Sequence, residues 1–337
     1  MEVTAAIVRL RLAETFVISR ETSDWADVVH VTIGHEGVTG YCEAAPIERY
    51  DETAQSALRF VSEHGHVVGG DPFALEEIET RLREIPGEQA AKSALDAALH
   101  DLQGKLLGVP TWKLLGLPRT GPPTSWTVWL GDPDDMARRA EQAASRFRRL
   151  KLKLGAGDGH DVERVRAVRS VTRLPLMVDV NEAWTLEEAL DALPRLAELE
   201  VEYCEQPLAA GDPGGAELKA RSPIPVYVDE DCHTLADVAP CAQVAHGVNI
   251  KLAKSGGIRE AIRMAHAARA LELGVMLGCM VESGLGIAAG CCVAPLCDHV
   301  DLDGNLLLVQ DPYRGLALIK GVQTPSDAPG LGVAPGP

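Results

Sequence analysis

The chain has 337 residues, 46% hydrophobic and 24% charged, which is enough for two domains that bury a sizeable core. Its formal net charge of −17 argues against binding to nucleic acid or to an anionic membrane surface, because both require clustered Lys and Arg. No apolar run is long enough to span a bilayer, and the first residues lack the basic and apolar regions of a signal peptide. We therefore expect a cytoplasmic protein that has neither nucleic acid nor a membrane as its partner.

Residues 1–118 have the pattern of an α+β domain. Three segments between residues 3 and 46 alternate apolar and polar residues as strands do, and HEGVTG supplies a turn between the last two. Three stretches with helical periodicity follow, the last being the alanine-rich segment 87–108. Pro and Gly cluster over 116–125, which indicates the connection to a second domain.

From residue 125 onward, short strand-like segments alternate with helix-sized segments. Eight strands at regular spacing favour a (β/α)8-type (modified TIM) barrel over an open doubly wound sheet, and we predict this barrel over residues 119–310. The predicted strands are 125–131, 149–155, 174–182, 201–207, 224–230, 247–252, 274–283 and 299–305.

The residues after the eighth strand, 311–337, end in a stretch rich in Pro and Gly. We predict that this segment returns in extended form across the first domain. The expected organisation is therefore an N-terminal α+β capping domain of residues 1–118, a catalytic barrel of residues 119–310, and a C-terminal return of residues 311–337 that completes the capping domain.

The predicted barrel places chemically active side chains at the ends of consecutive strands. Lys153, Asp179, Glu205, Asp229 and Lys251 are separated by 26, 26, 24 and 22 residues, each about one strand–helix repeat. Because the C-terminal ends of barrel strands meet at one rim, these five side chains should converge. Three carboxylates on consecutive strands, with a lysine on the strand before and the strand after, indicate an active site.

The residue types at this rim point to proton abstraction beside a metal ion. Three carboxylates supply hard oxygen ligands that suit an octahedral Mg²⁺, whereas zinc would favour His or Cys. A divalent cation facing a substrate carboxylate stabilises the enediolate formed when an α-proton leaves. Lys151 and Lys153 point to one face of their strand, so the charge of Lys151 and the nearby metal should lower the pKa of Lys153 and make it a usable base.

These residues resemble the enolase superfamily, and within it the muconate-lactonizing-enzyme-like subgroup. The resemblance covers essentially the whole chain, as a capping domain followed by a barrel. The matching motifs are KLK at 151–153, DVN at 179–181, EQP at 205–207, the acidic pair at 229–230, NIKL at 249–252 and GGI at 256–258.

The resemblance implies roles for the residues of the rim. It implies an acid/base pair of Lys153 and Lys251 on opposite faces of the substrate α-carbon, with Lys151 as a third member of the catalytic set. It also implies one Mg²⁺ per active site, with three metal ligands: Asp179, Glu205 and Asp229.

The surroundings of the site follow from the same resemblance. Asn181 and Glu230 are expected to support the metal ligands without binding the metal themselves. Two loops of the capping domain, near residues 15–25 and 47–53, are expected to cover the site and set specificity. Relatives often assemble symmetrically, which implies a homo-oligomer.

The eighth strand helps to distinguish reactions within the subgroup. Asp301 and Asp303 are two residues apart, so both should face the site, where two carboxylates suit the α-ammonium group of a dipeptide. DLDG from Asp301 and CMVES from Cys279 resemble the dipeptide epimerases, of which the L-Ala-D/L-Glu type is the best known. The resemblance implies inversion of the α-carbon of the C-terminal residue by two-base 1,1-proton transfer.

Other activities of the subgroup remain alternatives, namely o-succinylbenzoate synthase, N-acylamino acid racemase and muconate cycloisomerase. Asp301 and Asp303 speak against them, because substrates without a cationic group would be repelled. A non-catalytic ligand-binding barrel is a further alternative. The absence of one of the predicted acids or lysines would favour a non-catalytic protein, but all of them are present.

The sequence also predicts the contacts of three more residues. Arg20 lies in the first cap loop, where it is placed to bind the side-chain carboxylate of a substrate Glu residue, unless it is an exposed surface arginine. Glu282, at the end of the seventh strand, is expected to touch the substrate or to support a lysine. Lys254 is expected to face solvent or a loop.

Overall fold

A computed structural model of the chain describes residues 1–336 and begins with a three-stranded antiparallel sheet. The strands are β1 (Glu2–Ile18), β2 (Glu21–His35) and β3 (Val38–Ala44). Because side chains alternate between the faces of a strand, β2 buries Val29, Val31 and Ile33 on one face. That face belongs to a hydrophobic core shared with the helices of the same domain.

Four helices complete the N-terminal domain, namely α1 (Ala54–His64), α2 (Leu75–Arg83), α3 (Gln89–Leu107) and α4 (Thr111–Leu114). The alanine-rich α3 is buried along most of its length, because it packs against the sheet and also reaches the barrel. A Cβ at Gly40 in β3 would lie 2.5 Å from the Cβ of Leu102 in α3, so glycine is required for this close approach.

Eight parallel strands form the barrel, and each pairs with the next in chain order. The first and last strands meet at a seam, through a bridge between Thr124 and Val300 and a 2.9 Å hydrogen bond from the N–H of Ser125 to the carbonyl of Val300. The predicted barrel with its capping domain is therefore confirmed. The strands are β4 (Trp126–Val128), β5 (Leu150–Lys153), β6 (Leu176–Asp179), β7 (Val201–Glu205), β8 (Val226–Val228), β9 (Gly247–Lys251), β10 (Gly274–Gly278) and β11 (His299–Asp301).

Helices lie between successive strands, and the last strand differs from the others. After β11 the chain forms a short 3₁₀ turn at Gly304–Leu307, and residues 308–336 contain no α-helix. No helix within residues 1–336 has both the length and the hydrophobicity needed to cross a bilayer. The barrel helices are α5 (Pro133–Ala143), α6 (Asp161–Val171), α7 (Leu186–Glu198), α8 (Gly215–Arg221), α9 (Leu235–Val244), α10 (Leu252–Ser255), α11 (Ile258–Ala270) and α12 (Gly284–Val293).

The inside of the barrel has a floor of aromatic and thioether side chains. The hydroxyl oxygen of Tyr203 lies 3.3 Å from the sulfur of Met177 and 3.4 Å from that of Met276, and Tyr227 packs beside it. The three predicted metal ligands each lie two residues after one of these side chains. They are Asp179 at the end of β6, Glu205 at the end of β7, and Asp229 just beyond the end of β8. The strand period of two therefore raises the charged side chains above an apolar floor, toward the capping domain.

The chain after the barrel contacts the N-terminal domain. The N–H of Leu331 donates to Oδ1 of Asp101 in α3 at 2.7 Å, and the N–H of Thr111 donates to the carbonyl of Gly330 at 2.7 Å. Residues 330 and 331 thus contact α3 and the start of α4, whereas the predicted bounds of the return, 311–337, stay a prediction, and Pro337 lies outside the described residues. Its short strands are β12 (Tyr313–Arg314), β13 (Leu316–Ile319), β14 (Val322–Pro325) and β15 (Ala334–Pro335).

Candidate active site

The five residues predicted to converge lie at or just beyond the C-terminal ends of β5 to β9. The strand register places Lys153 beside Asp179 and Asp179 beside Glu205. Asp229 follows β8 directly and Lys251 ends β9, and each of the five residues is at most 8% exposed. Burying five charged groups together is costly unless they are paired with one another, and the following contacts show how they are paired.

Lys151 occupies the centre of this group of charges. Its Nζ lies 2.7 Å from Oε2 of Glu205, 3.0 Å from Oδ2 of Asp179 and 2.8 Å from Oδ2 of Asp301. Burial lowers the pKa of Lys151, but the three carboxylates outweigh burial and raise the pKa well above its usual range. Lys151 is therefore a fixed cation that neutralises part of the buried acid cluster.

Lys153 and Lys251 contact the outer two carboxylates of the row. Nζ of Lys153 donates to Oδ2 of Asp179 at 2.6 Å, and Nζ of Lys251 donates to Oδ2 of Asp229 at 2.8 Å. Burial lowers the pKa of Lys251, but the neighbouring Asp229 raises it by more. The pKa of Lys251 therefore lies above its usual range. Lys251 is thus an ammonium group, and it becomes a base only when Asp229 gains another positive partner.

Glu205 provides the test of whether a divalent cation fits this site. Its Oε1 accepts a hydrogen bond from Nδ2 of Asn249 at 2.7 Å, whereas the buried Oε2 has no hydrogen bond despite its proximity to Lys151. Burial and the neighbouring Asp179 raise the pKa of Glu205. A buried carboxylate that lies between two other carboxylates, and whose pKa is raised by one of them, supplies the hard oxygen donors that suit a divalent cation such as Mg²⁺.

The carboxylates are not arranged around a common point in the described structure. Among residues 1–336, no group of three His, Cys, Asp or Glu side chains is positioned to hold a metal ion. The reason is that Asp179 and Asp229 turn their Oδ2 atoms toward Lys153 and Lys251. The donor set therefore fits Mg²⁺ in its chemistry, and binding would exchange lysine contacts for metal contacts.

Lys254 does not face solvent as expected from the sequence. The residue is 2% exposed, and its Nζ donates to the carbonyls of Asp229 at 2.5 Å, Cys232 at 2.9 Å and Asn249 at 3.2 Å, as well as to Oδ1 of Asp229. The expectation failed because α10 begins directly after β9 and turns the third residue back under the rim. Lys254 thereby fixes the carboxylate that Lys251 also contacts.

Asn181 and Glu230 lie beside the row, as the resemblance implies. The N–H of Asn181 donates to Oδ1 of Asp179 at 3.0 Å, and its Oδ1 accepts a hydrogen bond from Nζ of Lys153 at 3.2 Å. Its Nδ2 donates to Oε1 of Glu230 at 3.5 Å. Asn181 has a φ of 47°, a left-handed conformation that asparagine tolerates better than most residues and that turns the chain away from the strand.

Gln206 is a supporting residue that sequence reasoning did not single out, although it lies in the EQP motif. Its Oε1 accepts hydrogen bonds from the N–H groups of Asp229 at 2.8 Å and Glu230 at 3.0 Å. Its Nε2 donates to Oδ2 of Asp231 at 2.7 Å. Gln206 therefore holds the segment after β8 against the end of β7, and only the motif itself could have drawn attention to it.

Asp301 and Asp303 face the same cavity as the lysines, as predicted. Oδ1 of Asp301 accepts a hydrogen bond from Oγ of Ser125 at 2.6 Å, and Oδ2 of Asp303 accepts one from the N–H of Thr127 at 2.6 Å. Burial and the neighbouring Asp301 raise the pKa of Asp303 to about 7. Lys151 pairs with Asp301, whereas a cationic group in the cavity would stabilise the ionised form of Asp303.

A cavity of about 700 Å³ lies between the barrel rim and the capping domain. Its size is within the range of small-molecule sites. Both predicted cap loops contribute to its wall, the first through Phe16, Ile18 and Arg20 and the second through Arg49 and Tyr50. The rim and strand-end residues that line it are Lys151, Lys153, Asn181, Lys251, Cys279, Met280, Asp301 and Asp303.

Arg20 is placed in the cavity wall, but its guanidinium already has partners on the barrel. Nη1 of Arg20 lies 2.8 Å from Oε1 of Glu230 and 3.4 Å from Oε2 of Glu182. The predicted contact of Arg20 with a substrate side chain stays a prediction.

Glu282 lies behind the cavity wall. It is 9% exposed, and its Oε1 accepts a hydrogen bond from the N–H of Met280 at 2.9 Å. Burial raises the pKa of Glu282 to about 8, and the nearby Glu43 adds to this effect while Lys251 opposes it. Glu282 is therefore a buried acid that is held mainly in its neutral form, and its predicted contact with substrate or a lysine stays a prediction.

Glu282→Gln is expected to remove a pH dependence of stability. The folded-state pKa of about 8 lies above the ordinary value of 4.5, so the folded state binds more protons between these pH values. Wild-type stability should therefore fall as pH rises from about 5 to 8, by up to about 1.4 kcal/mol per pH unit, relative to the variant. Urea unfolding at pH 5, 6.5 and 8 measures this, with the exposed Glu187→Gln as control. Parallel profiles for wild type and Glu282→Gln would contradict the assignment.

A barrel with a capping domain, and with lysines beside three buried carboxylates at its strand ends, has the architecture of the enolase superfamily. Family models match both parts of the chain: residues 1–116 match the mandelate racemase / muconate lactonizing enzyme N-terminal domain, and residues 135–336 match the enolase C-terminal domain-like family. The chain belongs to the mandelate racemase / muconate lactonizing enzyme family of the enolase superfamily.

Several of the similar proteins are epimerases. The L-Ala-D/L-Glu epimerase of Bacteroides thetaiotaomicron is 38% identical, covering 99% of this chain and 88% of that protein. The hydrophobic dipeptide epimerase of Flavobacteria bacterium MS024-2A is 34% identical, covering 98% and 97%. A crystal structure of the dipeptide epimerase from Enterococcus faecalis V583, complexed with Mg and L-Leu-L-Tyr, superposes with a TM-score of 0.94 at 31% identity, covering 98% of each chain. The chain is therefore an enzyme, an isomerase of the epimerase type.

Proposed function

We propose that this enzyme epimerises dipeptides at the α-carbon of the C-terminal residue, in a Mg²⁺-dependent reaction. The observation that carries the proposal is the combination of two features in one cavity. Lys153 and Lys251 contact the outer carboxylates of a buried acid row, and Asp301 and Asp303 face the same cavity from β11. The first feature suits α-proton transfer, and the second suits an α-ammonium group.

The proposed ligands of Mg²⁺ are Asp179, Glu205 and Asp229, which supply oxygen atoms only. Bound there, Mg²⁺ would neutralise the negative charge that develops on the substrate carboxylate when the α-proton leaves. Lys151 keeps its ammonium form beside Asp179, Glu205 and Asp301 and adds positive charge to the site.

The proton transfers are assigned to the two remaining lysines. One of Lys153 and Lys251 removes the α-proton as a neutral amine, and the other, as an ammonium group, delivers a proton to the opposite face of the same carbon. Their roles exchange with the configuration of the substrate. Asp301 and Asp303 hold the α-ammonium group of the dipeptide, which fixes the C-terminal α-carbon relative to both lysines.

The contacts of β11 also weigh against the other activities of the subgroup. The pKa of Asp303 is raised to about 7, mainly by burial and then by Asp301, so a nearby cation would favour its ionised form and a nearby anion would disfavour it. A purely anionic substrate or one with an acylated amine would meet repulsion there without compensation. A dipeptide with a free ammonium group would relieve it.

Incubation with dipeptides in D₂O and Mg²⁺ tests the proposal. We expect one deuterium at the α-carbon of the C-terminal residue, observed by NMR, and inversion at that carbon alone. The control is the N-acetylated form of the same dipeptide, which lacks the ammonium group and should exchange much more slowly. Absence of exchange from every dipeptide in a library would refute the proposed function.

A further inference from the structure

The charge of Arg20 is directed toward the barrel. Besides its ion pairs with Glu230 and Glu182, Nη1 of Arg20 lies 3.3 Å from the carbonyl oxygen of Asn181. The neighbouring Ser19 donates to the same carbonyl at 3.2 Å. The end of the first cap loop is thus fastened to the loops that follow β6 and β8.

Arg49 in the second cap loop is engaged in the same way. Its Nε donates to Oε2 of Glu182 and its Nη2 to Oε1 of the same residue, both at 2.8 Å. A bidentate pair of this kind uses the planar fork of the guanidinium fully. Arg20 and Arg49 are the two arginines that line the cavity among the described residues, and both are paired with acids of the barrel.

Releasing Arg20 to a substrate would leave a buried acid without a partner. The side chain of Glu230 is fully buried, and its Oε2 already lacks a hydrogen bond. Glu230 follows Asp229 directly in the chain, and its Oε1 accepts a hydrogen bond from Nδ2 of Asn181 at 3.5 Å, so it lies beside the buried acid row. If Arg20 moved away, Glu230 would add an uncompensated buried charge to the acid row. This cost strongly favours retention of the Arg20–Glu230 contact.

Within residues 1–336, the rest of the wall beside Arg20 contains no unpaired buried charge. Phe16 and Ile18 precede Arg20 with a period of two and line the same cavity. The acids in this part of the wall are either exposed, and so screened by water, or already paired. They are Glu21 and Glu48, which are exposed, Asp27, which pairs with Arg9, and Glu52, which accepts from the N–H groups of Gln89 and Ala90.

We propose that the site selects dipeptides whose C-terminal residue has an uncharged side chain, and that Arg20 closes the first cap loop onto the barrel. This inference rests on the proposed dipeptide epimerase function and makes its substrate class more specific. It differs from the sequence prediction, in which Arg20 binds a substrate Glu side chain. Arg20 acts here as a positioning residue, because it affects the reaction only by holding Glu230 and the first cap loop in place.

Two dipeptides of nearly equal shape separate the alternatives. We expect kcat/KM for α-proton exchange to be higher for L-Ala-L-Gln than for L-Ala-L-Glu by roughly 10-fold or more, because the second places a carboxylate against a wall whose two arginines are already paired with acids of the barrel. L-Ala-L-Leu should be turned over, and L-Ala-L-Lys should be disfavoured like L-Ala-L-Glu. A preference for the Glu or the Lys dipeptide would overturn the inference while leaving the epimerase function intact. Absence of exchange from all four would refute both.

Arg20→Met provides a second, independent test. Loss of the loop closure should lower kcat/KM for all dipeptides, while the ratio between L-Ala-L-Gln and L-Ala-L-Glu changes by less than about threefold. If Arg20 instead binds a substrate carboxylate, the variant would lose turnover of L-Ala-L-Glu selectively. The double variant Arg20→Met/Glu230→Gln removes both charges together, so it should unfold at a higher urea concentration than Arg20→Met alone. A double variant no more stable than Arg20→Met would contradict the role of the pair.

Discussion

Replacing either Lys153 or Lys251 by alanine is expected to stop α-proton exchange from one epimer of a dipeptide while the other epimer continues to exchange. Each lysine contacts a different outer carboxylate of the row, so each should serve a different face of the α-carbon. Loss of a general base slows proton transfer by roughly 10²- to 10⁴-fold. Epimerisation needs both lysines and should be lost in both variants. Proton NMR in D₂O, started separately from each pure epimer, measures exchange and inversion together.

The exposed Lys113→Ala variant is the matched control and should exchange both epimers at the wild-type rate. Lys→Arg at each catalytic position is a further control, since it keeps the positive charge but cannot act as a base near neutral pH. These variants should show the same one-sided loss as the alanine variants. Equal exchange of both epimers in either alanine variant would contradict the two-base mechanism.

Glu205→Gln is expected to have opposite effects on stability and on metal binding. In EDTA the variant should be at least as stable as wild type, because a neutral amide replaces a buried carboxylate whose pKa is raised by burial and by Asp179, and Lys151 keeps its contacts with Asp179 and Asp301. With Mg²⁺ at about 100 times the wild-type Kd, wild type should gain about 2.7 kcal/mol and the variant much less. Urea unfolding in EDTA and in MgCl₂ measures both effects without any assay of activity.

Glu202→Gln is the control on the same strand, because Glu202 points outward to Arg149 and is partly exposed. This variant should keep the full Mg²⁺-dependent gain. Stabilisation of Glu205→Gln by Mg²⁺ to the same extent as wild type would show that Glu205 is not a ligand. The proposed metal site would then have to be abandoned in its present form.

The convergence of the rim residues could be predicted because it depends on a repeat. Each strand–helix unit of about 25 residues brings the end of its strand to the same rim, so spacing alone placed Lys153, Asp179, Glu205, Asp229 and Lys251 together. The alternation within β5 likewise placed Lys151 and Lys153 on one face. The bridging contacts of Lys151, however, involve acids from three other strands, and no local pattern reveals how a charge is shared.

Partners outside the repeat could not be predicted. Lys254 is three residues from Lys251, and only the immediate start of α10 after β9 turns it inward toward Asp229. Arg20 meets Glu230 across 210 residues of sequence and across the boundary between two domains. Such contacts depend on where one domain lies on the other, which is a property of tertiary packing. The sequence therefore indicated that Arg20 was near the site but not which group would hold its charge.

The seam between the first and last barrel strands has a consequence for the order in which the chain acquires its binding properties. Asp301 and Asp303 are bonded to Ser125 and Thr127, at a sequence separation of 176 residues in each case. The outer carboxylates of the row, in contrast, bond to lysines only 26 and 22 residues away. Closing a loop of 176 residues costs more chain entropy than closing one of 22 or 26 residues, so we expect the pairs of the acid row to form before the seam. The proposed binding of a dipeptide's ammonium group by Asp301 and Asp303 would then arise only when the barrel closes. Only the fully folded protein would select its substrate.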